Sequence, residues 1–495
     1  MMPTRSSGAP RSRGRFGSRR VAQPHAGRSV RLPGGHPGGH PARPEPGRTA
    51  VGRPRRSGSA AGPAGHPAPR SAARSGPGGR TLLERLFAAP AGGLLARRWV
   101  HLFGCLVAAG WAAAFPIVSN LPNQRLWGLV AAPSYLLAGL AVAALPRRFA
   151  GRAAAGIALV GAVLLPLVLL AVQGHRQSEV MVVERSAQLL LHTGTPYLPD
   201  PTTVSDFNPY LPAMSLFGLP RAVLGSGNPV CQLLGDARIW FALSFFGCLV
   251  ASWRLLRPEG GRSPLLPLAV LTGSPLIALM LAVGGVDLPL IGVCCLAMAL
   301  AARDRTIAAG LVLALACTLK WTAWPALPVA ALLLWRLYGR RPAARAALTA
   351  LLASAVVLLP YALTRPQDLV DQVVKFPLGL TAVKTPAGSP LPGKVLAGLG
   401  PAGHTVSLVL LVLGGLAVTG WLLLRPPTTA VAAADYLAAG LTVGFMLAPA
   451  GRFGYLALPA VLAIWPRLAS HRPPAVPGTV GCARAAEGSS LSIAS

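Results

Sequence analysis

The amino-acid sequence predicts an all-α protein, a polytopic transmembrane helix bundle of about 10–12 spans. Of its 495 residues, 53% are apolar and only 12% are charged, whereas a soluble domain carries about 25% charged residues. Apolar runs of about 15–22 residues, long enough to cross a bilayer, recur from Trp99 to Pro466. Clusters of arginine separate these runs in a regular alternation, as in multi-pass membrane proteins.

The apolar runs give the expected position of each span. In chain order they lie at about 99–118, 127–145, 153–173, 238–256, 264–283, 288–302, 306–319, 322–337, 346–363, 404–424, 430–448 and 453–466. The pair at 306–319 and 322–337 and the last run are short, so the number of spans is left open.

The arginine clusters predict the orientation of the bundle. They would all face the cytoplasm if the N-terminus lies there: Arg97/Arg98, Arg147/Arg148/Arg152, Arg254/Arg257/Arg262, Arg303/Arg305, Arg336/Arg340/Arg341/Arg345, Arg425 and Arg467/Arg472. The outer face then receives the two large loops, 174–237 and 364–403, and the short turns that contain Asp287 and Lys320. All four lysines and most of the acids would lie on this face. We therefore expect a multi-pass plasma-membrane protein with an outward site.

The two ends of the chain differ from the membrane domain expected over 97–470. Residues 1–80 contain 16 arginines and one acid, with few large apolar side chains, which predicts a disordered basic cytoplasmic tail. Binding to anionic lipid or nucleic acid is one interpretation; a topology determinant or an over-extended gene start is favoured, so no nucleic-acid partner is expected. Residues 471–495 are also expected to be disordered.

The polar segment 178–238 holds five of the 14 acidic residues. Apolar residues at 180, 183, 187, 190 and 191 predict an amphipathic helix along the membrane surface, headed by Glu179. Glu179 is either a helix-capping acid or a general base beside the membrane. Glu184 precedes Arg185, and a surface ion pair between them is the simpler interpretation of it.

Two turns follow this helix. The run G-T-P-Y-L at 194–198, which includes Tyr197, predicts a helix stop and a turn. The run D-F-N-P-Y-L-P at 206–212 predicts a second turn. In it, Asp206, Asn208 and Tyr210 either close an Asx turn or form a platform on which a sugar or acceptor stacks and hydrogen-bonds.

Two further polar positions interrupt apolar runs at the expected outer boundary. The first is Asp287, in the run G-G-V-D-L-P, which is either a helix cap or a functional acid. The second is Lys320, in the run L-K-W-T-A-W-P. It is either a ligand for a lipid phosphate or an interfacial lysine beside belt tryptophans.

The sequence argues against several cofactor and metal sites. The run G-S-P-L-P-G-K-V at 388–395 lacks the Ser/Thr and the preceding strand of a phosphate-binding loop. There is no G-x-G-x-x-G, H-E-x-x-H or G-x-S-x-G, and the seven cysteines lack metal-ligand spacing. We expect neither a cofactor nor a metal, and the cysteines are interpreted as small buried thiols.

Taken together, these motifs resemble the polytopic glycosyltransferases of family 87. The resemblance rests on an acid just past a span, L-L-x-T-G-x-P-Y-L, N-P-Y-L-P, a G-x-D-L-P turn and a Lys-x-x-x-x-Pro break, over roughly residues 150–460. That family has the GT-C type of fold and uses polyprenyl-phosphate sugars in actinobacterial envelopes. Its members usually carry Asp as the base in the first large outer loop, where this chain has Glu179.

The resemblance implies a mechanism and partners. Glu179 or Asp206 would take a proton from an acceptor hydroxyl, and that oxygen would displace the lipid phosphate with inversion. Lys320, with Lys375 or an arginine, would hold the departing phosphate. The donor would be a polyprenyl-phosphate sugar, with mannose or arabinose as the sugar, and the acceptor an envelope glycan or glycolipid.

Two other functions remain open from sequence: a multi-pass transporter or flippase whose acids line a path, and a non-catalytic envelope-assembly membrane protein. The position of the acids separates these classes. Convergence of Glu179, Asp206, Asp287 and Lys320 on one outward cavity would favour an enzyme, whereas acids in a chain across the membrane would favour a transporter.

Overall fold

The computed structural model describes residues 97–257 and 263–470. The regular structure in these residues is helical, with no strand and a single isolated parallel bridge between Gly388 and Gly451. The all-α prediction is therefore confirmed. The predictions of disordered tails at 1–80 and 471–495 fall outside the described residues.

The helices follow the predicted apolar runs closely. In chain order they are α1 (Arg98–Val118), α2 (Pro122–Ala144), α3 (Arg147–Val172), α4 (Ser178–Thr193), α5 (Leu219–Leu224), α6 (Pro229–Gly235), α7 (Ala237–Leu256), α8 (Leu265–Thr272), α9 (Pro275–Val283), α10 (Leu288–Ala302), α11 (Thr306–Leu319), α12 (Ala326–Tyr338), α13 (Arg340–Thr364), α14 (Pro366–Val370), α15 (Pro392–Ala397), α16 (Pro401–Leu424), α17 (Ala430–Leu447) and α18 (Ala457–Ser470). Short 3-10 turns lie at Pro212–Gly218, Trp321–Ala323 and Phe453–Leu456.

Within the described ranges, eight helices are long and apolar enough to cross a membrane, or nine if the bent pair α8–α9 counts as one span. They are α1, α2, α3, α7, α13, α16, α17 and the last helix with its preceding turn, Phe453–Ser470. Two shorter apolar helices, α10 and α11, fall below that length. The run expected at 322–337 also became a short helix, α12, of 13 residues. These three short helices account for the difference from the 12 expected runs, since helices of this length need local thinning or protein packing around them.

The span expected at 264–283 is broken. Its two halves, α8 and α9, meet at an angle of 77°. The break occurs because Pro275 favours extended backbone at Ser274, and Tyr135 donates a hydrogen bond of 2.8 Å to the carbonyl oxygen of Gly273. That bond satisfies a backbone group that would otherwise be unpaired inside a membrane.

The core of the bundle is α10. Twelve of its fifteen residues are buried, and it packs against α7, α11, α12 and α18. A helix that is apolar on all sides is typically buried. The lipid-facing shell contrasts with it, because only 11% of the apolar window of α13 and of α16 is buried inside the protein.

Antiparallel packing brings distant polar segments to one end of the bundle. The helix α10 begins after Asp287, and its neighbour α11 ends before Lys320. The segment 451–455, between α17 and α18, and the start of α4 lie at the same end, as their contacts with these residues show. Arg303, at the opposite end of α10, donates instead to the carbonyl oxygen of Leu255, in an arginine-rich region.

Candidate active site

A buried ion pair lies at the start of α10. The Nζ atom of Lys320 is 2.7 Å from the Oδ1 atom of Asp287, and the two side chains are about one-tenth exposed. Asp287 occupies the position before the helix, but its side chain makes no capping bond to the backbone. It is therefore the partner of Lys320 and not a helix cap.

Two aromatic rings enclose the ammonium group of Lys320. Its Nζ atom lies 4.6 Å from the ring centre of Tyr455 and 5.7 Å from that of Tyr210. Burial lowers the pKa of Lys320, but the negative charge of Asp287 and its hydrogen bond more than offset this, so the pKa is raised overall. Lys320 therefore stays charged, and its ammonium is shielded from solvent, unlike that of an interfacial lysine.

A second ion pair joins the start of α4 to the last loop of the bundle. Glu179 lies in the first turn of α4, and its Oε1 atom pairs with the guanidinium of Arg452. These side chains are more accessible than the first pair, at 20% for Glu179 and 25% for Arg452. The predicted amphipathic helix is present, and it ends at Gly194 in the left-handed conformation, as expected.

The glycine turn before α10 connects the two ion pairs. A Cβ placed on Gly284 would lie 3.8 Å from the Oε2 atom of Glu179. Gly285 has φ +79°, and a Cβ there would lie 2.5 Å from the carbonyl oxygen of Met280. A Cβ on Gly284 would also meet the Oε1 atom of Gln177 at 2.9 Å, so glycine is required by these neighbours, and the Glu179 carboxylate lies close to the backbone that leads to Asp287.

The segment that carries Arg452 is connected to both pairs. The backbone N–H of Tyr455 donates to the carbonyl oxygen of Arg452 at 3.0 Å, closing a 3-10 turn. This turn places the ring of Tyr455 against Lys320 and the guanidinium of Arg452 against Glu179. Two acids and two bases from four separate segments therefore form one cluster, which we call the charged cluster: Glu179, Asp287, Lys320 and Arg452.

A strap at residues 388–393, in the loop between α13 and α16, holds the Arg452 segment. The N–H of Ser389 donates to the carbonyl oxygen of Gly451 at 3.0 Å, and the Ser389 hydroxyl accepts from the N–H of Phe453 at 3.2 Å. A Cβ on Gly393 would lie 2.2 Å from the carbonyl oxygen of Leu447. The run that resembles a phosphate-binding loop thus packs against backbone near the charged cluster, in agreement with its rejection as a nucleotide site.

Asp206 makes a different set of contacts. Its Oδ2 atom accepts from the N–H of Thr203 at 2.8 Å and from the Thr203 hydroxyl at 2.7 Å, and Arg185 lies 3.8 Å away. The Thr203 hydroxyl, followed by backbone N–H groups, lowers the pKa of Asp206. These contacts close a turn, but they come from residues before Asp206, whereas the side chain in an Asx turn accepts from the N–H two residues later. The Asx turn expected in this run is formed instead by Asn208, which accepts from the N–H of Tyr210. Asp206 lies with Thr203 and Arg185, not with the charged cluster.

Asn208 and Tyr197 use their polar groups to close the loop. The side chain of Asn208 donates to the carbonyl oxygen of Pro196 at 3.1 Å and accepts from the N–H of Tyr210 at 3.2 Å. The hydroxyl of Tyr197 donates to the carbonyl oxygen of Tyr210 at 3.0 Å. Asn208, Tyr197 and Tyr210 are buried. Their contacts hold Tyr210 beside Lys320, while Asn208 and Tyr197 point into the protein.

Lys375 lies away from the charged cluster. Its Nζ atom is 2.6 Å from the Oδ1 atom of Asp371, one helical turn earlier, and both side chains are about half exposed. An exposed pair of this kind contributes little to stability. In the structure Lys375 therefore pairs with Asp371 and not with a residue of the charged cluster.

Glu184 does not form the expected surface pair with Arg185. It is buried, lies 2.9 Å from Arg176 and 3.5 Å from Arg221, and accepts from the N–H of Ala237. Burial raises the pKa of Glu184, although both arginines and the Ala237 N–H lower it. The surface interpretation was wrong because neighbours i and i+1 on a helix do not face each other; α4 instead directs Glu184 inward.

An apolar cavity of about 360 Å³ lies between α4, the Pro212–Gly218 turn, α11 and α13. Its walls include Leu190, Leu216, Leu315 and Val357. Pro212 and Thr318 also line it. In the sequence, Pro212 follows Tyr210 by two residues and Thr318 precedes Lys320 by two residues. The cavity is therefore an apolar groove whose walls do not include the four residues of the charged cluster.

Sequence reasoning did not select Arg452 or Tyr455. The signal was present in the run G-R-F-G-Y-L at 451–456, where glycines flank a lone arginine beside two aromatics at the expected outer boundary. Its importance depends on Glu179, 273 positions earlier, and no local pattern predicts that pairing.

Fold and site together define a class: a polytopic helical membrane protein with paired charges at one end of its bundle. The model of Glycosyltransferase family 87 matches residues 208–449. The chain is a glycosyltransferase family 87-like protein, and it is a multi-pass membrane glycosyltransferase, for which the GT-C type fits. No curated protein and no solved structure matches it significantly. The match includes Asp287 and Lys320, while Glu179 lies well before its start and Arg452 lies just beyond its end.

Proposed function

We propose that this glycosyltransferase moves a sugar from a polyprenyl-phosphate donor to a hydroxyl of an envelope glycan or glycolipid, on the outer face of the plasma membrane. The N-terminus would lie in the cytoplasm, as the arginine clusters predict. The observation that carries the proposal is the convergence of Glu179 with the Asp287–Lys320 pair across the Gly284 turn. Mannose and arabinose are the sugars to test first.

The proposed reaction is a base-assisted displacement. Glu179 takes the proton of the acceptor hydroxyl, the acceptor oxygen forms a bond to the anomeric carbon, and the bond from that carbon to the phosphate oxygen breaks. The sugar is transferred with inversion, and polyprenyl phosphate leaves with the electron pair. Asp287 fixes Lys320 at 2.7 Å, so the ammonium contributes a preorganised positive field where the phosphate gains charge.

Two features support a lipid-borne donor. Aliphatic side chains form most of the walls of the apolar cavity, which suits a polyprenyl tail, and the wall includes Thr318, two residues before Lys320 in the sequence. In addition, a lipid phosphate requires no nucleotide site, and the run at 388–395 is used as a strap.

The transporter alternative is less well supported. The acids Glu179 and Asp287 lie together at one end of the bundle, and the buried residues of the central helix α10 are apolar, small or proline. Acids that carry a substrate across would instead be spaced along the helices. The position of the charged cluster therefore favours the enzyme.

A transfer assay tests this function. Membranes containing the protein are incubated with labelled polyprenyl-phosphate mannose or arabinose and an envelope-lipid extract. We expect label in a glycan or glycolipid product with the wild type and strongly reduced label with Glu179→Gln at equal expression. Transfer from a nucleotide sugar alone, or full transfer by Glu179→Gln, would contradict the proposal.

A further inference from the structure

The ion pair between Glu179 and Arg452 conflicts with the simplest use of Glu179. A general base needs a free oxygen within hydrogen-bond reach of the hydroxyl that it deprotonates. In the structure the Oε1 atom of Glu179 is occupied by the guanidinium of Arg452. Because a paired guanidinium favours the ionised carboxylate, it opposes proton uptake at either oxygen of Glu179. Glu179 is therefore a better proton acceptor once this arginine turns to another anion.

Arg452 is better placed than Lys320 to meet an incoming anion. Lys320 is bonded to Asp287 at 2.7 Å and enclosed by two tyrosine rings, with 11% of its side chain exposed. The side chain of Arg452 is 25% exposed. Its guanidinium has five N–H donors in a planar fork that matches a phosphate, whereas an ammonium acts as a point charge.

The backbone at Arg452 is anchored, so the exchange requires only its side chain to move. Gly451 is bonded to Ser389 on one side, and the carbonyl oxygen of Arg452 accepts from Tyr455 on the other. The pair itself is partly exposed, and such pairs contribute little to stability. A phosphate that offers two hydrogen bonds to the guanidinium can therefore compete for it.

We propose that Arg452 exchanges partners during the reaction, an inference that rests on the proposed function. The donor phosphate competes with Glu179 for the guanidinium of Arg452, and this competition frees the base. Glu179 becomes available only when the donor phosphate is seated beside Lys320. The enzyme therefore binds its donor before it activates its acceptor. Arg452 contacts the leaving phosphate and also controls when the base is free.

Competition makes an unusual prediction for donor binding. Glu179→Gln removes the competing carboxylate, so a lipid phosphate should bind more tightly to this catalytically impaired variant than to the wild type. From the strength of exposed ion pairs, we expect the Kd to fall about two- to fivefold. Arg452→Gln should raise the Kd at least about tenfold, since it removes a charge-assisted contact.

The experiment measures equilibrium binding of a fluorescent, sugar-free, short-chain polyprenyl phosphate to the purified full-length protein in detergent. Because the carboxylate acts only through Arg452, Glu179→Gln should have no effect in the Arg452→Gln background. Arg452→Lys, which keeps the charge but not the fork, should bind with intermediate affinity. Size-exclusion profiles show that each variant is folded.

Matched controls come from an outer ion pair elsewhere, Arg365 with Asp368, which are 3.6 Å apart. Arg365→Gln and Asp368→Asn should leave the Kd unchanged. If the wild type binds the lipid phosphate and Glu179→Gln binds it equally well or more weakly, the exchange is overturned, while the proposed donor class stands. No binding of the lipid phosphate to the wild type would contradict both the donor class and the exchange.

Discussion

Lys320 and Asp287 are 33 positions apart, yet their side chains meet at 2.7 Å where α10 begins and α11 ends. Each charge is stable at this buried position because the other is present. The pair holds a cation at the end of the most buried helix, and Tyr455 extends this arrangement to the segment that carries Arg452. The predictions below separate the structural and the chemical contributions of these groups.

We expect Glu179→Gln to lower turnover by about 10²–10⁴, because the amide keeps the size of the side chain but cannot accept a proton. The measurement is the rate of sugar transfer at saturating donor, normalised to protein level. Asp206→Asn is the matched control, and it should change turnover little because Asp206 closes a turn with Thr203. Equal losses in both variants would remove the distinction between the two acids.

Asp287→Asn or Lys320→Met alone should each lower the free energy of unfolding by about 3–5 kcal/mol, since either change leaves an unpaired buried charge. The double variant should be clearly less destabilised than the sum of the two changes. Denaturant unfolding in detergent, followed by tryptophan fluorescence, completes this double-mutant cycle. Additive losses would show that the pair is not coupled in the membrane domain.

The close packing of Gly393, in the strap, against the Leu447 backbone predicts that alanine is not tolerated there, whereas it should be tolerated at the exposed Gly415. Gly393→Ala should reduce folded protein or transfer activity severely, because the new Cβ would meet the Leu447 carbonyl oxygen at 2.2 Å. Gly415→Ala, on the exposed face of α16 with no neighbouring atom within 4 Å, is the control and should be tolerated. Yield and transfer rate are measured for both. Normal behaviour of Gly393→Ala would show that this packing is not required.

The loop closed by Asp206 should open in acid. The pKa of Asp206 is lowered in the folded protein, so its contribution to stability is present above the ordinary carboxyl pKa and is lost as pH falls through the lower folded value. Hydrogen exchange at the amides of Thr202 and Thr203, compared between about pH 6 and about pH 3, reports this opening. In Asp206→Asn these amides should be poorly protected at both values, whereas equal protection in the variant would contradict the role of the carboxylate.

The proposed orientation predicts which exposed sites a membrane-impermeant thiol reagent reaches in intact cells. With Cys231 replaced by Ser, Ser226→Cys and Lys384→Cys should be labelled from outside. Arg345→Cys, on the arginine-rich side, should be labelled only after the membrane is opened. Protection of both outer sites would reverse the orientation and move the charged cluster to the cytoplasmic face.

The sequence alone determined the helical elements and several turns. The apolar run at 288–302 became α10 with the same bounds, and the helix headed by Glu179 ends at Gly194 as predicted. These features depend on local physical chemistry: an apolar segment in a membrane must satisfy its backbone within a helix, and glycine adopts the left-handed conformation that ends one. The choice of Asp287 and Lys320 as unusual residues followed from the same local rule, because charge at a membrane boundary is costly.

Tertiary structure alone decided which of these residues act together. Glu179 meets Arg452, 273 positions later, because α4 and the loop after α17 lie at one end of the bundle, whereas Asp206 closes its own turn with Thr203. The break between α8 and α9 also depends on Tyr135, from a distant helix. Apolar patterning specifies that a helix forms and where it ends, but the pairing of charges depends on how the helices pack, and that arrangement is set by contacts between residues far apart in the chain.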